Sequence, residues 1–171
     1  MSPRTLWILR HAKTRELPPA GQGDRARELK PRGRRAARAV GQLLARVEDP
    51  PTLALSSDAR RAQETVELVL EAGELTCERV DEPAIYEAAG ETLLAVLRRV
   101  PRKTASLLLV GHQPGLGAFL GLLLGHEPEL PPGALVRLEL GGTWGELGPG
   151  TAALTLLVTP DVLLAEDEAR D

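Results

Sequence analysis

Two nearly unbroken apolar runs, Thr5 to Leu9 and Ala105 to Val110, constrain the fold of this chain more than any other feature in it. Each is too short for a stable helix and lacks the alternation of a strand with one wet face, so each predicts a strand covered on both sides. Elsewhere the period changes. Ala36, Ala37, Val40, Leu43, Leu44 and Val47 recur at steps of three and four, the stripe of an amphipathic helix whose other face carries arginines. Thr52 to Leu55 reads as a second strand, halted by Ser56, Ser57 and Asp58, which can cap a helix beginning near Ala59. A weaker strand at Leu75 to Val80, a loop through Tyr86 and a helix from about Glu91 to Arg99 lead into the strand at 105–110. A helix from about Gly115 to Leu124 follows, and Ala134 to Leu140 and Ala152 to Val158 form a last strand pair around a Gly-rich turn. Strand and helix in alternation predict an α/β fold: a three-layer α/β/α sandwich with a mostly parallel central sheet and an antiparallel element near its end.

At 171 residues the chain is long enough for one proper core and short for two, so a single domain over 1–171 is expected, with a frayed acidic tail at 166–171. The longest apolar stretch, Leu116 to Leu124, is far short of the roughly 20 residues of a membrane-spanning helix, so no membrane association is expected. The first residues lead straight into a strand without the pattern of a secretory signal, which makes the cytoplasm the expected compartment. Cys77 is the one cysteine and cannot form an internal disulfide. Three histidines without a convergent carboxylate motif give no basis for a zinc site, and no cofactor is expected.

Charge is unevenly placed. Residues 1–46 hold 12 Arg and Lys against 3 Asp and Glu, although the whole chain carries a net charge of −3. Such a region either attracts nucleic acid or surrounds a site for an anionic small molecule or phosphoprotein with positive potential. With aromatics at 2% there are no platforms for base stacking, so nucleic acid is the disfavoured partner.

Three polar clusters stand directly after predicted strands: Arg10-His11, Ser56 through Arg61, and Gly111-His112. Ligands of an open α/β sheet bind at the carboxyl ends of its strands, so clusters distant in sequence can meet there. Two histidines and two or more arginines suit a phosphoryl group, because guanidinium forks match its oxygens and a neutral imidazole can attack phosphorus. The loop from about Lys13 to Pro31 is long enough to surround such a site.

These residues also carry a resemblance. Leu9-Arg10-His11-Ala12-Lys13 resembles the Arg-His signature of the histidine phosphatase superfamily, in the form found in its small SixA-like phosphohistidine phosphatase branch. Arg27, Leu29 and Gly33 resemble that branch's loop-to-helix signature. The segment from Ser56 to Thr65 resembles its Ser-Ser-Pro-Ala-x-Arg-Ala segment, with Asp58 in place of proline, and Val110 to Pro114 resembles its Gly-His-Asn-Pro segment, with Gln113 in place of asparagine. The likeness runs in order over about residues 5–125 and implies a phosphoglycerate mutase-like fold.

The resemblance further implies that His11 is the nucleophile and is transiently phosphorylated, while Arg10, Arg61 and His112 hold the nonbridging oxygens. Ala62 and Thr65 align Arg61, not Arg60, with the phosphate-binding arginine. Arg27 and Lys13 are further candidates for substrate contact, and Glu87 is the candidate general acid by position. No metal is implied. A phosphohistidine protein is the favoured substrate. The alternatives are a small phosphoester or phosphoanhydride, a mutase-like isomerisation, and a non-catalytic phosphate-binding module.

Overall fold

The computed structural model describes residues 2–168. Six strands form one sheet: β1 (Arg4–Arg10), β2 (Leu53–Ser56), β3 (Glu78–Asp81), β4 (Ser106–Gly111), β5 (Leu135–Leu140) and β6 (Ala152–Val158). Their spatial order is β3-β2-β4-β1-β5-β6. β1 to β4 pair in parallel, and β5 and β6 close the far edge antiparallel. The helices are α1 (Pro31–Leu44), α2 (Arg60–Ala72), α3 (Gly90–Arg98), α4 (Gly115–Leu124) and α5 (Pro160–Glu168).

Alternating side chains of the central strands feed two cores. Leu6 and Ile8 of β1 join Leu107 and Leu109 of β4 beneath α3 and α4. Trp7 and Leu9 join Leu108 and Val110 beneath α1 and α2. All eight side chains are fully buried, and each large one contributes roughly 1.5–3 kcal/mol by leaving water. That two-sided burial is why both runs read as continuous apolar sequence.

The layers approach closely where glycine permits it. A Cβ on Gly33 would sit 2.2 Å from the Lys13 carbonyl oxygen, and one on Gly115 would sit 2.1 Å from that of Ala88. Gly33 thus lets the first turn of α1 rest on the chain leaving β1.

At the amino-terminal edge of the sheet Asp49 acts as a polar hub. Its carboxylate accepts from Thr5 Oγ1 and, at 2.8 Å, from Arg137, while its carbonyl accepts from Trp7 Nε1 at 3.2 Å and Ser106 Oγ at 2.9 Å.

Three details differ from the sequence reading. β3 spans Glu78–Asp81, beginning three residues later and ending one residue later than expected. The residue capping α2 is Ala59, with no side-chain cap; Asp58 instead pairs with Arg25 at 3.4 Å, and Ser57 Oγ accepts the Ala59 N–H at 3.2 Å. A helix, α5, packs on α1 through Leu163 and Leu164. The expected tail from Glu166 falls partly on that helix, and its remainder, 169–171, lies outside the described residues. Among the described residues no helix is long and apolar enough to cross a membrane.

Candidate active site

Register builds the site. Arg10 of β1 lies opposite Gly111 of β4, so His11 and His112 leave the sheet side by side, with the His11 N–H donating to the Gly111 carbonyl at 3.0 Å. Their ring centroids are 5.2 Å apart. Next to β4, β2 ends at Ser56 opposite Val110, and the Ser57 N–H donates to the Val110 carbonyl at 3.1 Å. Three adjacent strands therefore deliver their terminal residues to one edge, where an α/β sheet binds ligands.

His11 is held in one tautomer. Its Nδ1 lies 2.9 Å from the Ala12 carbonyl. A carbonyl only accepts, so Nδ1 carries the proton and Nε2 keeps its lone pair. The same residue is anchored through its other backbone group: the Ala12 N–H donates to Thr65 Oγ1 at 3.0 Å, and Thr65 donates to the Arg61 carbonyl at 2.7 Å. Burial lowers the pKa of His11 to about 3, with the Ala12 hydrogen bond opposing and the neighbouring His112, Arg61 and Arg10 assisting. At neutral pH the ring is an uncharged base.

His112 is also 7% exposed, and burial, with Arg61 close by, lowers its pKa to about 4. Its Nε2 lies 2.7 Å from Ser57 Oγ. Its Nδ1 is buried without a partner, as are Nε of Arg10 and Nε of Arg61. Arg10 spends one terminal nitrogen on the Leu130 carbonyl at 2.8 Å. Arg61, 4% exposed, directs its terminal nitrogens to Asp24, at 3.0 Å to the carbonyl and 3.1 Å to the carboxylate. Arg60 points elsewhere, to Glu64 at 3.0 Å.

The remaining candidates are scattered. Arg27 pairs with Oδ1 of Asp24 at 2.9 Å, the carboxylate whose Oδ2 holds Arg61. Lys13 is exposed and lines a different cavity with Arg32, Pro131, Pro160 and Asp161. Glu87 is exposed at φ 48°, with no hydrogen bond or ion pair among the described residues. The carboxylate that does touch the site is Asp24, which sequence reasoning overlooked. It also accepts from Tyr86 at 2.6 Å. That hydrogen bond, with Arg61 and Arg27, holds its pKa near 2 against the opposing effect of desolvation. One signal was available, since Asp24 is among only 3 acidic residues in the basic first 46. Among the described residues no cluster of three or more His, Cys, Asp and Glu is arranged to hold a metal ion.

Residues 6–85 match the model of the histidine phosphatase superfamily, branch 1. An uncharacterized Mycobacterium tuberculosis protein, Rv1276c, is 31% identical over 162 residues, covering 85% of this chain and 96% of its own length. This chain belongs to the histidine phosphatase superfamily. Among solved structures it is similar to one assigned as the phosphohistidine phosphatase SixA of Nakamurella multipartitia, at 26% identity and a TM-score of 0.80, over 94% of this chain and 98% of that one. The protein histidine phosphatase SixA bound to tungstate shares the fold at 21% identity and a TM-score of 0.79, over 93% and 99% of the two chains. Membership of the superfamily, with SixA structures as neighbours, supports phosphatase chemistry and a phosphorylated substrate for this chain.

Proposed function

We propose that the protein is a metal-independent phosphatase that takes the phosphoryl group onto Nε2 of His11, with phosphohistidine on a protein as its substrate. The observation that carries this reading is the set of buried nitrogens without partners, on Arg10, Arg61 and His112, around a neutral imidazole. A buried donor left unpaired costs about 1–3 kcal/mol, and a tetrahedral oxyanion would satisfy all three. The free lone pair of His11 then faces phosphorus, while Arg10, Arg61 and His112 hold the nonbridging oxygens.

Proton supply favours a nitrogen leaving group. An alkoxide must be protonated as it departs, yet Asp24 is ionised down to about pH 2 and His112 is neutral above about pH 4. The imidazole of phosphohistidine can leave neutral, keeping a proton it already carries on its second nitrogen. Glu87 enters this scheme only for leaving groups that do need a proton. The similarity to a SixA structure assigned as a phosphohistidine phosphatase supports the same substrate class.

Acid-quench labelling with a phosphorylated substrate tests the reading. Wild type should yield an alkali-stable phosphohistidine and His11→Ala none; undiminished turnover by the alanine variant would refute it.

A further inference from the structure

The loop between β1 and α1 places a carboxylate on an arginine of the phosphate site, an arrangement that phosphate binding does not require. Asp24 sits on a short 3-10 turn, Asp24–Ala26, and takes hold of Arg61 with both its carbonyl and its Oδ2. Oδ2 also accepts from Tyr86, whereas Oδ1 has one donor among the described residues, Arg27 at 2.9 Å. A carboxylate offers about four lone-pair sites, so Oδ1 retains capacity for another donor.

Surrounding residues leave this carboxylate on the exposed side of the histidine pair. Tyr86 stands edge-on to His112 at 5.6 Å, and Arg25 lies over the Tyr86 ring at 4.1 Å. His11 is 7% exposed, whereas the Asp24 side chain is 45% exposed. In an in-line transfer the leaving group departs on the side of phosphorus opposite the nucleophile. Asp24, half-exposed and bonded to both Arg61 and Tyr86, is the carboxylate of the site open to a leaving group on that outer side.

We propose that Asp24 determines leaving-group specificity, favouring a phosphoryl donor whose leaving group presents an N–H and rejecting one whose leaving group is an anion. The inference rests on the reading of His11 as the phosphoryl acceptor. In the favoured case the substrate is a phosphorylated imidazole protonated on its second nitrogen. The P–N bond breaks with its electron pair returning to the ring, and the bond from His11 Nε2 to phosphorus forms. The ring leaves neutral with its proton, which Oδ1 of Asp24 can accept as a hydrogen bond, while His11 keeps its own proton on Nδ1. Water then attacks phosphorus, the bond to Nε2 breaks, and both water protons leave with dihydrogen phosphate. No external acid or base is consumed. A pyrophosphate donor would instead bring a second phosphate against the Asp24 charge.

Two probes distinguish the cases on a single preparation: phosphoimidazole and inorganic pyrophosphate, each assayed for phosphate release with wild type, Asp24→Asn and Asp24→Glu. The asparagine can still accept from Arg61 and Tyr86 but has lost the charge. The ratio of kcat/KM for phosphoimidazole to that for pyrophosphate should fall about tenfold in Asp24→Asn, the order expected for one partly screened charge, and recover toward wild type in Asp24→Glu. Because both probes report on the same folded fraction, a loss of protein cancels from the ratio. A parallel change for both probes would mean that Asp24 merely props Arg61, and would overturn the proposal alone. Absence of wild-type turnover on both probes would overturn the phosphatase reading and the proposal with it.

Discussion

Thr65 offers a direct test of how the nucleophile is held, because replacing it by valine changes almost nothing but one oxygen. Thr65 and Ala12 are both fully buried, and Thr65 Oγ1 accepts the Ala12 N–H at 3.0 Å. Valine leaves that N–H in the core without an acceptor, a loss of about 1–3 kcal/mol. The Arg61 carbonyl loses only an extra donor, since a helix carbonyl keeps its backbone partner four residues on. Urea unfolding should therefore show a lower midpoint with an unchanged slope. The freed N–H joins His11 to Ala12, the residue whose carbonyl fixes Nδ1 of His11. Rapid-quench phosphorylation of His11 should accordingly slow by about tenfold, the scale of a small misplacement of a reacting group. Thr65→Ser, which keeps the hydroxyl, should regain most of both losses. Unfolding within about 0.5 kcal/mol of wild type, together with an unchanged labelling rate, would refute the argument that Thr65 holds Ala12 in place.

Other perturbations follow the same geometry. His11 and His112 have folded pKa values of about 3 and about 4 against 6.5 for the free side chain. Between those limits the unfolded chain binds protons that the folded one refuses, so stability should fall as pH drops from 6.5 toward 3, by up to ~1.4 kcal/mol per pH unit for each histidine. His11→Gln should flatten that slope in urea titrations, and an unaltered slope would contradict the assignment. Gly33→Ala, with its Cβ 2.2 Å from the Lys13 carbonyl, should lose at least ~2 kcal/mol in thermal or urea unfolding. Arg61→Lys forfeits the fork and should lower kcat by about a hundredfold, and an activity near wild type would remove Arg61 from the phosphate site. Glu87→Gln should slow hydrolysis of alkyl phosphates far more than that of phosphohistidine, and equal effects would contradict the proton argument.

The parts of this fold that were legible in the sequence are those where burial imposes a pattern. β1 and β4 are covered on both faces and could not be other than apolar; α1 and α2 each bury one stripe. β3 was misplaced because it is short, lies at the sheet edge and buries little, so Glu78, Val80 and Asp81 carry no alternation. α5 went unseen because, among its described side chains, Pro160 and Leu164 alone are well buried, while Val162 stays exposed; Pro160 at its start was the one available marker. His11, His112, Arg10 and Arg61 could be picked out because each follows or lies near a strand end. Asp24 could not, since its contact with Arg61 spans 37 residues and arises from a loop with no periodicity to read. Tyr86, the chain's single tyrosine, reaches Asp24 across 62 residues.

The two edges of the sheet differ in how completely they satisfy their polar groups, and the difference links folding to solution composition. Asp49 at one edge gathers its donors internally, whereas Arg10 Nε, Arg61 Nε and His112 Nδ1 at the other are buried with no partner among the described residues. Any tetrahedral anion that binds there and not to the unfolded chain adds RT ln(1 + [L]/Kd), about 2.7 kcal/mol at a hundredfold excess over Kd. If the site takes the anion as proposed, the melting temperature should depend on the choice of buffer, higher in phosphate or vanadate than in an amine buffer, and the size of that increment would measure the affinity of the site without any substrate being known.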